Sequence, residues 1–183
     1  MTAAPWLTDD VLEVAVALLG WRLVSDIGGE RVAGDLVEVE AYAAETDPAS
    51  HAFRGRTPRN GSMFGPPGTL YVYRSYGIHW CMNVVCGEPG VARAVLLRGA
   101  EIVEGIDTAV RRRGRSDHLA DGPGKLTQAL GVTRQMDGHD LRRAPLRLAG
   151  PGRAVKSVGK SPRIGISNAK ERPWRFVVNG WAD

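Results

Sequence analysis

The sequence predicts an α+β fold: a single domain over residues 1–183 with a curved, mostly antiparallel β-sheet, a protruding β-hairpin and peripheral helices. Three observations support this prediction. A length of 183 residues suits one domain with one hydrophobic core. Short stretches of alternating apolar and polar residues recur along the chain between glycine- and proline-containing turns, which is typical of strands. Only three stretches have the caps and composition of helices, so the helices should flank the sheet.

The predicted elements follow one another along the chain. The first helix is capped by Thr8, has an apolar run over residues 11–19 and stops at Gly20. The second spans residues 102–113, and a short third helix ends at Leu130. The predicted strands are residues 21–24, 31–42, 69–74, 78–86, 92–98, 145–148, 163–166 and 174–178.

Composition and charge restrict the classes of function. The sequence has no run of about eighteen apolar residues that could span a bilayer, and residues 1–10 lack the basic and apolar regions of a secretory signal. We therefore expect a cytoplasmic protein, associated with the nucleoid if it is bacterial. The net charge of +4 suits a polyanionic partner, and sixteen of the 24 lysines and arginines follow Asp107. This basic part either supplies a phosphate-facing surface or is a solvated run of charge.

The two cysteines, Cys81 and Cys86, predict neither a disulfide nor a metal site. They lie five residues apart on one predicted strand, so they should point in different directions and remain buried, reduced thiols. Their spacing is not a usual one for zinc, although His79 is nearby in the sequence. We expect no metal ion and no other cofactor.

The predicted strand at residues 31–42 concentrates reactive side chains. With a period of two, carboxylates and a phenol share one face and small apolar side chains share the other. The polar face holds Glu38, Glu40 and Tyr42, and the apolar face holds Val37, Val39 and Ala41. Neighbours on one face lie about 6.6–7 Å apart. Glu40 and Tyr42 should therefore form one wall that a small substrate can touch.

The long segment at residues 43–67 has no sustained period and is interrupted by prolines and glycines. Loops of this length are usually functional or disordered. Arg56 and Arg59 stand there with His51 and Phe53, a mixture of cations and rings that suits a nucleic-acid backbone and its bases. The alternative is a loop held in place by its own side chains.

Two further features suit a nucleic acid. Tyr76 stands on the turn of a predicted hairpin, followed by Gly77, and a large ring there loses its burial unless something covers it. The ring either wedges into a base stack or folds back on the hairpin. Lys125 and the free N–H groups at the start of the short third helix could hold a phosphate, although the spacing is not that of a P-loop.

Seven motifs, taken together in order, resemble those of one family. They are VEVEAY (37–42), ASH (49–51), RTPRN (56–60), PGTLYVY (67–73), YG (76–77), CMN (81–83) and LLR (96–98). The family they resemble is the alkyladenine (3-methyladenine, methylpurine) DNA glycosylases. The resemblance runs from about residue 36 to residue 130 and returns at RIG (163–165) and WRF (174–176), whereas residues 163–169 match only in part.

This resemblance implies a monofunctional glycosylase of base excision repair that flips a damaged purine out of double-stranded DNA and hydrolyses its bond to deoxyribose. It implies action on 3-methyladenine, hypoxanthine or ethenoadenine by a monomer without strand-nicking lyase activity. Glu40 resembles the general base that activates water, and Arg98 resembles a residue that helps to place it. Glu38 matches no role in the family and is expected to be a supporting or surface charge.

The resemblance also assigns residues around the flipped base. Tyr42, His51 and Tyr73 resemble the walls of the base pocket. Tyr76 resembles the residue inserted into the gap that flipping leaves, and Asn83 resembles the side chain that clashes with the 2-amino group of guanine. Contacts to the DNA backbone are expected from Arg56, Arg59 and Lys125.

The chemistry of these residue types agrees with the implied roles. A free glutamate has a pKa of about 4.3, so an ionised Glu40 can accept a proton from water and stabilise an oxocarbenium-like state. Aromatic faces attract a cationic base by about 0.5–2 kcal/mol. Residues 36–76 contain no lysine, which favours water over an enzyme amine as the nucleophile.

Two other classes of function compete with this interpretation. A non-catalytic nucleic-acid binding module would use the same loop, hairpin and basic surface, but a carboxylate such as Glu40 in a phosphate-binding groove only repels. A hydrolase of free nucleosides would not need Tyr76 or the arginine-rich loop.

Overall fold

A computed structural model describes residues 5–182, and within them one antiparallel sheet of eight strands is accompanied by three α-helices. The strands are β1 (Trp21–Ser25), β2 (Val32–Ala43), β3 (Leu70–Ser75), β4 (His79–Cys86), β5 (Arg93–Glu104), β6 (Leu146–Pro151), β7 (Val155–Ser161) and β8 (Arg175–Trp181). The helices are α1 (Val11–Leu18), α2 (Ile106–Arg113) and α3 (Pro123–Leu130). The spatial order is β3-β4-β5-β2-β1-β6, and β8 pairs with β2 and β7. The predicted α+β class is confirmed; residues 1–4 and 183 of the predicted domain lie outside the described residues.

Helix α1 is capped by Asp10, so the prediction of Thr8 as its cap is wrong. The Asp10 carboxylate accepts a hydrogen bond of 2.9 Å from the backbone N–H of Leu12. Thr8 instead ends a short 3₁₀ turn, Pro5–Thr8, that precedes the helix. Because of this turn, the helix begins after Thr8, and the carboxylate that reaches a free N–H of its first turn is that of Asp10.

Helix α2 is shorter than the predicted 102–113 because β5 continues to Glu104 by pairing with β2. Gly105, with φ of +73°, separates the two elements. A Cβ on Gly105 would lie 2.0 Å from the carbonyl oxygen of Arg31, so glycine alone fits this approach. Strand pairing therefore overrides the helical pattern of residues 102–104.

The predicted strands near the C-terminus are correct only in part. β6 and β8 correspond to the predictions at 145–148 and 174–178, whereas residues 163–166 lie in the connection between β7 and β8. This connection leaves the sheet because its groups bind distant side chains, as described below. β7 was missed because its sequence, with serines, lysines and a glycine, lacks a clear alternation of apolar residues.

The two faces of the sheet serve different purposes. Alternate residues of β3, β4 and β5, such as Val72, Val84 and Leu97, pack with α1 and α3 in the main core. Their neighbours along each strand face a cleft on the other side. Cys86 lies in the core and Cys81 on the cleft side, and both are buried and free, which confirms the predicted directions of the two thiols.

The pairing of β2 with β5 is irregular at three positions. The pairing skips Val37 on β2, and it skips Arg98 and Val103 on β5, so these residues are bulged. Leu36 and Val39 consequently both point into the core, and Val37 is only half-buried. The prediction that Val37 shares the core face with Val39 is therefore wrong, because the bulge interrupts the alternation.

Within residues 5–182, each helix is too short or too polar to cross a membrane.

Candidate active site

The cleft lies across four neighbouring strands, β3, β4, β5 and β2, and has a volume of about 770 Å³. Its aromatic and polar walls come from alternate positions of these strands, as the period of two requires. The segment after β7 and the start of α3 close its other sides. The strand residues that line it are Tyr42, Tyr71, Tyr73, Arg74, Ser75, His79, Cys81, Asn83, Leu96 and Arg98.

Glu40 lies beneath this cleft with no solvent exposure and is enclosed by hydrogen-bond donors. The Tyr42 hydroxyl donates to Glu40 Oε2 over 2.8 Å, and the backbone N–H of Ile164 donates to Oε1 over 2.8 Å. Arg98 Nη1 lies 3.3 Å from Oε1. These three residues line the cleft, whereas Glu40 itself does not. The predicted proximity of Glu40 and Tyr42 is confirmed, but the prediction that both form one wall is wrong, because Glu40 is fully buried and only Tyr42 lines the cleft.

Arg98 connects the two glutamates of β2. Its Nε donates to Glu38 Oε1 over 2.7 Å, and Arg175 Nε donates to the same oxygen over 2.7 Å. Burial alone would lower the pKa of Arg98, but the carboxylates of Glu40 and Glu38 more than offset this and raise it. Burial alone would raise the pKa of Glu38, but hydrogen bonds from Arg175 and Arg98 hold it below its usual value. Arg98 and Glu38 are therefore charged, and Glu38 contacts a cleft residue directly.

Three rings form an aromatic wall of the cleft. Tyr71 and Tyr73 stack with 5.5 Å between ring centroids, and His51 meets Tyr73 edge-on at 4.5 Å. His51 Nδ1 lies 3.0 Å from the Tyr71 hydroxyl. Burial, with a contribution from Arg59, lowers the pKa of His51, so the imidazole is neutral near pH 7. Sequence reasoning missed Tyr71, although it shares a strand face with Tyr73.

The tyrosine hydroxyls remain protonated. Burial, followed by the negative charge of Glu40, raises the pKa of Tyr42, which keeps this phenol a donor to the carboxylate. Burial also raises the pKa of Tyr73, with a further effect of the neighbouring Cys81. Burial raises the pKa of Tyr71 to about 12. The cleft therefore presents neutral rings rather than phenolates.

A buried ion pair supports Tyr42 from behind. Arg163 and Asp47 are both fully buried, and Arg163 Nη2 donates to Asp47 Oδ1 over 2.8 Å. The guanidinium lies 4.6 Å from the centroid of the Tyr42 ring and 5.1 Å from that of Trp174. Sequence reasoning missed both charges. Only the RIG motif marked Arg163, and Asp47 had no signal in the sequence.

Asn83 lies on the floor of the cleft and is buried. Its side-chain Nδ2 donates to the backbone carbonyl of Tyr71 over 3.2 Å, which fixes the orientation of the amide. Asn83 is thus brought into the same cleft as Tyr42, His51 and Tyr73.

Tyr76 stands at the tip of the β3–β4 hairpin with 85% of its surface exposed. Its φ is +49°, a left-handed conformation that costs a tyrosine free energy, and Gly77 follows with φ of +68°. Ile78, on the same turn, is also exposed. The ring is therefore not folded back on the hairpin, whereas its predicted insertion into a base stack stays a prediction.

The three cationic residues that are predicted to contact the DNA backbone lie in different environments. Arg59 lines the cleft and donates to the carbonyl of Arg74 over 3.2 Å, while Arg56 lies over the Phe64 ring at 5.8 Å. Lys125 lines the cleft at the start of α3 and is 2.9 Å from Asp121. The loop that carries the two arginines is held by its own side chains as well.

Asn60 provides much of that support for the loop. Its Oδ1 accepts from the Thr57 N–H over 2.7 Å, and its Nδ2 donates to the carbonyls of His51 and Gly55. The predicted internal fixation of the loop is confirmed, and the fixed loop also presents Arg59 and His51 to the cleft. In the described part of the chain, His, Cys, Asp and Glu side chains do not gather in threes that could hold a metal ion.

The structure places a carboxylate beneath an aromatic cleft that is large enough for a nucleobase, and a neighbouring hairpin projects a tyrosine. Together with the comparisons with known proteins, these features define the class of the protein as a DNA glycosylase. The family model described as "Methylpurine-DNA glycosylase (MPG)" matches residues 5–182. The chain belongs to this methylpurine-DNA glycosylase family.

The names of similar proteins from other organisms agree with this family. A protein from Rhodopseudomonas palustris (strain BisB18) is 53% identical over 172 residues, covering 93% of this chain and 83% of its own. One from Agrobacterium fabrum (strain C58) is 50% identical, covering 94% of this chain and 86% of its own. One from Methanoculleus marisnigri is 47% identical, covering 93% and 91%. Each is named "Putative 3-methyladenine DNA glycosylase".

Proposed function

We propose that this DNA glycosylase is monofunctional and removes alkylated or deaminated purines, namely 3-methyladenine, hypoxanthine and ethenoadenine, from double-stranded DNA. It does so by base flipping and by hydrolysis of the N-glycosidic bond with an activated water. The observation that carries this proposal is the Glu40 carboxylate, fixed by Tyr42, Ile164 and Arg98 directly beneath the aromatic cleft. The names of the relatives support the alkylated purine as a substrate.

In the proposed reaction Glu40 is the general base. The oxygen of a water molecule bonds to C1′ of the deoxyribose, the C1′–N bond breaks, and the leaving base keeps the electron pair. Glu40 accepts the proton of that water, and its negative charge stabilises the oxocarbenium-like state as the bond breaks. Arg98 holds the carboxylate and helps to place the water.

The base is held by the rings of the cleft. Tyr42, His51 and Tyr73 present neutral aromatic surfaces, which favour stacking on a flipped purine and attract a cationic one by about 0.5–2 kcal/mol. Stacking returns about 1–3 kcal/mol per base, comparable to the few kcal/mol that flipping costs. Asn83, fixed on the floor by the Tyr71 carbonyl, disfavours the 2-amino group of guanine.

The proposed binding of DNA requires a side chain that fills the gap in the base stack and cations that contact the phosphates. Tyr76 projects far enough to fill the gap left by the flipped base, which suits its high exposure. Arg56, Arg59 and Lys125 contact backbone phosphates around the cleft. The enzyme works as a monomer on DNA in the cytoplasm.

Water is the proposed nucleophile rather than an amine. The first lysine of the sequence is Lys125, and it is 2.9 Å from the Asp121 carboxylate. A lyase requires an enzyme amine that attacks C1′, and the Lys125 amine is instead engaged in an ion pair with Asp121. The reaction should therefore end at an abasic site.

The test is an incubation with duplexes that each carry one damaged purine. Abasic sites are revealed by alkali, and strand breaks are scored without alkali. We expect free base and alkali-dependent cleavage for at least one lesion, and intact undamaged duplex. Binding without release of base would support a non-catalytic module, turnover of mononucleosides would support a nucleoside hydrolase, and breaks without alkali would contradict the absence of lyase activity.

A further inference from the structure

The inference concerns Glu38, which the proposed mechanism does not use. Glu38 lies next to the bulge in β2, and Arg98 forms the bulge in β5 that faces it. Bulges redirect side chains and are frequent beside active sites. The strands also approach closely here, because a Cβ on Gly99 would lie 3.4 Å from the Cβ of Glu38. The two irregularities together bring the Glu38 carboxylate against the Arg98 guanidinium.

Four charges of alternating sign result from this contact. Glu40, Arg98, Glu38 and Arg175 follow one another with N···O distances of 3.3, 2.7 and 2.7 Å. Their side-chain exposure rises along the row, from 0% to 11%, 18% and 24%. A buried charge is tolerated when neighbours compensate it. Glu38 and Arg175 thus extend the row of charges from the buried Glu40 carboxylate to the partly exposed surface of the protein.

Glu38 also determines how Arg98 meets Glu40. A guanidinium can bind a carboxylate with two parallel N–H groups. In this structure Nε of Arg98 donates to Glu38, and Nη1 lies 3.3 Å from Glu40 Oε1. Arg175 holds the same Glu38 oxygen and is itself fixed by the Ser161 hydroxyl at 2.9 Å. The orientation of Arg98 is therefore set from the side away from Glu40.

We propose that Glu38 is a positioning residue for base excision: by holding Nε of Arg98, it excludes the side-on pairing of Arg98, through Nε and Nη2, with Glu40 and fixes the guanidinium in an orientation that leaves the Glu40 carboxylate able to accept a proton from water. This inference rests on the proposed function of Glu40. The Glu40 oxygens already accept from Tyr42 and Ile164, so hydrogen bonds from Arg98 to both oxygens would occupy the acceptor positions that the water needs.

The experiment is a double-mutant cycle measured by single-turnover excision of a lesion that the wild type releases. Glu38→Gln keeps the size of the side chain and removes its charge. We expect excision to slow by about 10- to 100-fold, as for a misplaced reacting group, with unchanged affinity for the lesion duplex. In an Arg98→Ala background the same change should alter the rate by less than about twofold, because Glu38 acts through Arg98.

Two further variants separate positioning from general destabilisation. Glu38→Asp keeps the charge and should retain more of the rate than Glu38→Gln. Asp35→Asn removes a carboxylate on the same strand that pairs with Arg22 at 2.8 Å, away from the cleft, and should leave the rate unchanged.

The outcomes distinguish the inference from the proposed function. If the wild type releases no base from any lesion, the proposed function fails. If the wild type is active but Glu38→Gln matches it, or slows excision equally with and without Arg98, the positioning role alone is overturned. Equal rates for Glu38→Asp and Glu38→Gln would also contradict it.

Discussion

Glu40 is a charged side chain without solvent exposure, yet it is not in an apolar interior. Burying a carboxylate is costly unless donors and positive charge compensate it. Tyr42, Ile164 and Arg98 supply both, and they fix the carboxylate before any substrate binds. Such preorganisation suits the proposed role of Glu40 in stabilising a transient positive charge.

Replacing Glu40 by Gln removes the proton acceptor and the negative charge while keeping the shape of the side chain. We expect base release to fall by at least about 10²- to 10⁴-fold, the usual contribution of a general base. Affinity for lesion duplex should persist, because the rings remain in place. Single-turnover excision and a binding titration measure the two effects, and undiminished turnover would remove Glu40 from the role of base.

Replacing Tyr76 by Ser removes the projecting ring without disturbing a packed core. We expect weaker binding of lesion duplex by about 1–3 kcal/mol, the value of stacking an aromatic ring on a base. Val16→Ser is a control, because Val16 is an exposed residue of α1, on the core side of the sheet. Equal affinities of the Tyr76→Ser variant and the wild type would show that the ring is no wedge.

At the scale of elements, the Asp47–Arg163 pair ties the loop after β2 to the connection between β7 and β8. Arg163 also donates to the carbonyl of Ala41 over 2.9 Å. Because Ile164 follows Arg163 directly, this pair places the N–H that binds Glu40. An ion pair between two loops therefore shapes the back of the cleft.

Asp47→Asn should lower the free energy of unfolding by about 3–5 kcal/mol, because it leaves the buried Arg163 charge without its counter-ion. Burial alone would raise the pKa of Asp47, but hydrogen bonds from Arg163 and its positive charge hold it below the usual value. The stabilisation is thus complete above the unfolded pKa, about 3.9, and is lost as the pH falls through the lower folded pKa.

Denaturant unfolding of wild type and Asp47→Asn at several pH values checks this prediction. The difference between the two should be constant near neutral pH and should shrink in acid. Asp117→Asn is the matched control, since Asp117 forms an exposed pair with Arg115 and should change stability little. A pH-independent difference between wild type and Asp47→Asn would argue against the ion pair as its source.

At the scale of the whole molecule, cations from distant parts of the sequence meet around one cleft. Arg59 comes from the loop before β3, Arg98 from β5 and Lys125 from α3, and all three line the cleft. Much of the C-terminal basic part instead forms ion pairs, as Arg142 does with Asp140 and Arg147 with Asp26. Net charge alone thus overstates the surface that DNA can use.

Arg59→Gln and Lys125→Gln should each reduce the salt dependence of DNA binding. If each side chain contacts one phosphate, the slope of log affinity against log salt should become less steep by about 0.9 per substitution. Arg153→Gln is a control, because Arg153 follows β6 at the other end of the sheet and lies over Trp181. Slopes equal to that of the wild type would place these two cations outside the DNA contact.

The sequence by itself determined the elements whose signals are local: the alternation along β3 and β4, the hairpin turn at Tyr76, and the short helix that ends at Leu130. It also indicated that Glu40 and Tyr42 share a strand face, since a period of two needs only neighbouring residues.

Only the tertiary structure decided what fixes Glu40. Ile164, which binds Glu40, lies 124 positions further along the chain, and Asp47 pairs with Arg163, which is 116 positions away. The bulges at Val37 and Arg98 likewise arise from pairing between two strands rather than from either sequence alone. Local periodicity carries no information about such contacts, because they depend on how distant segments pack.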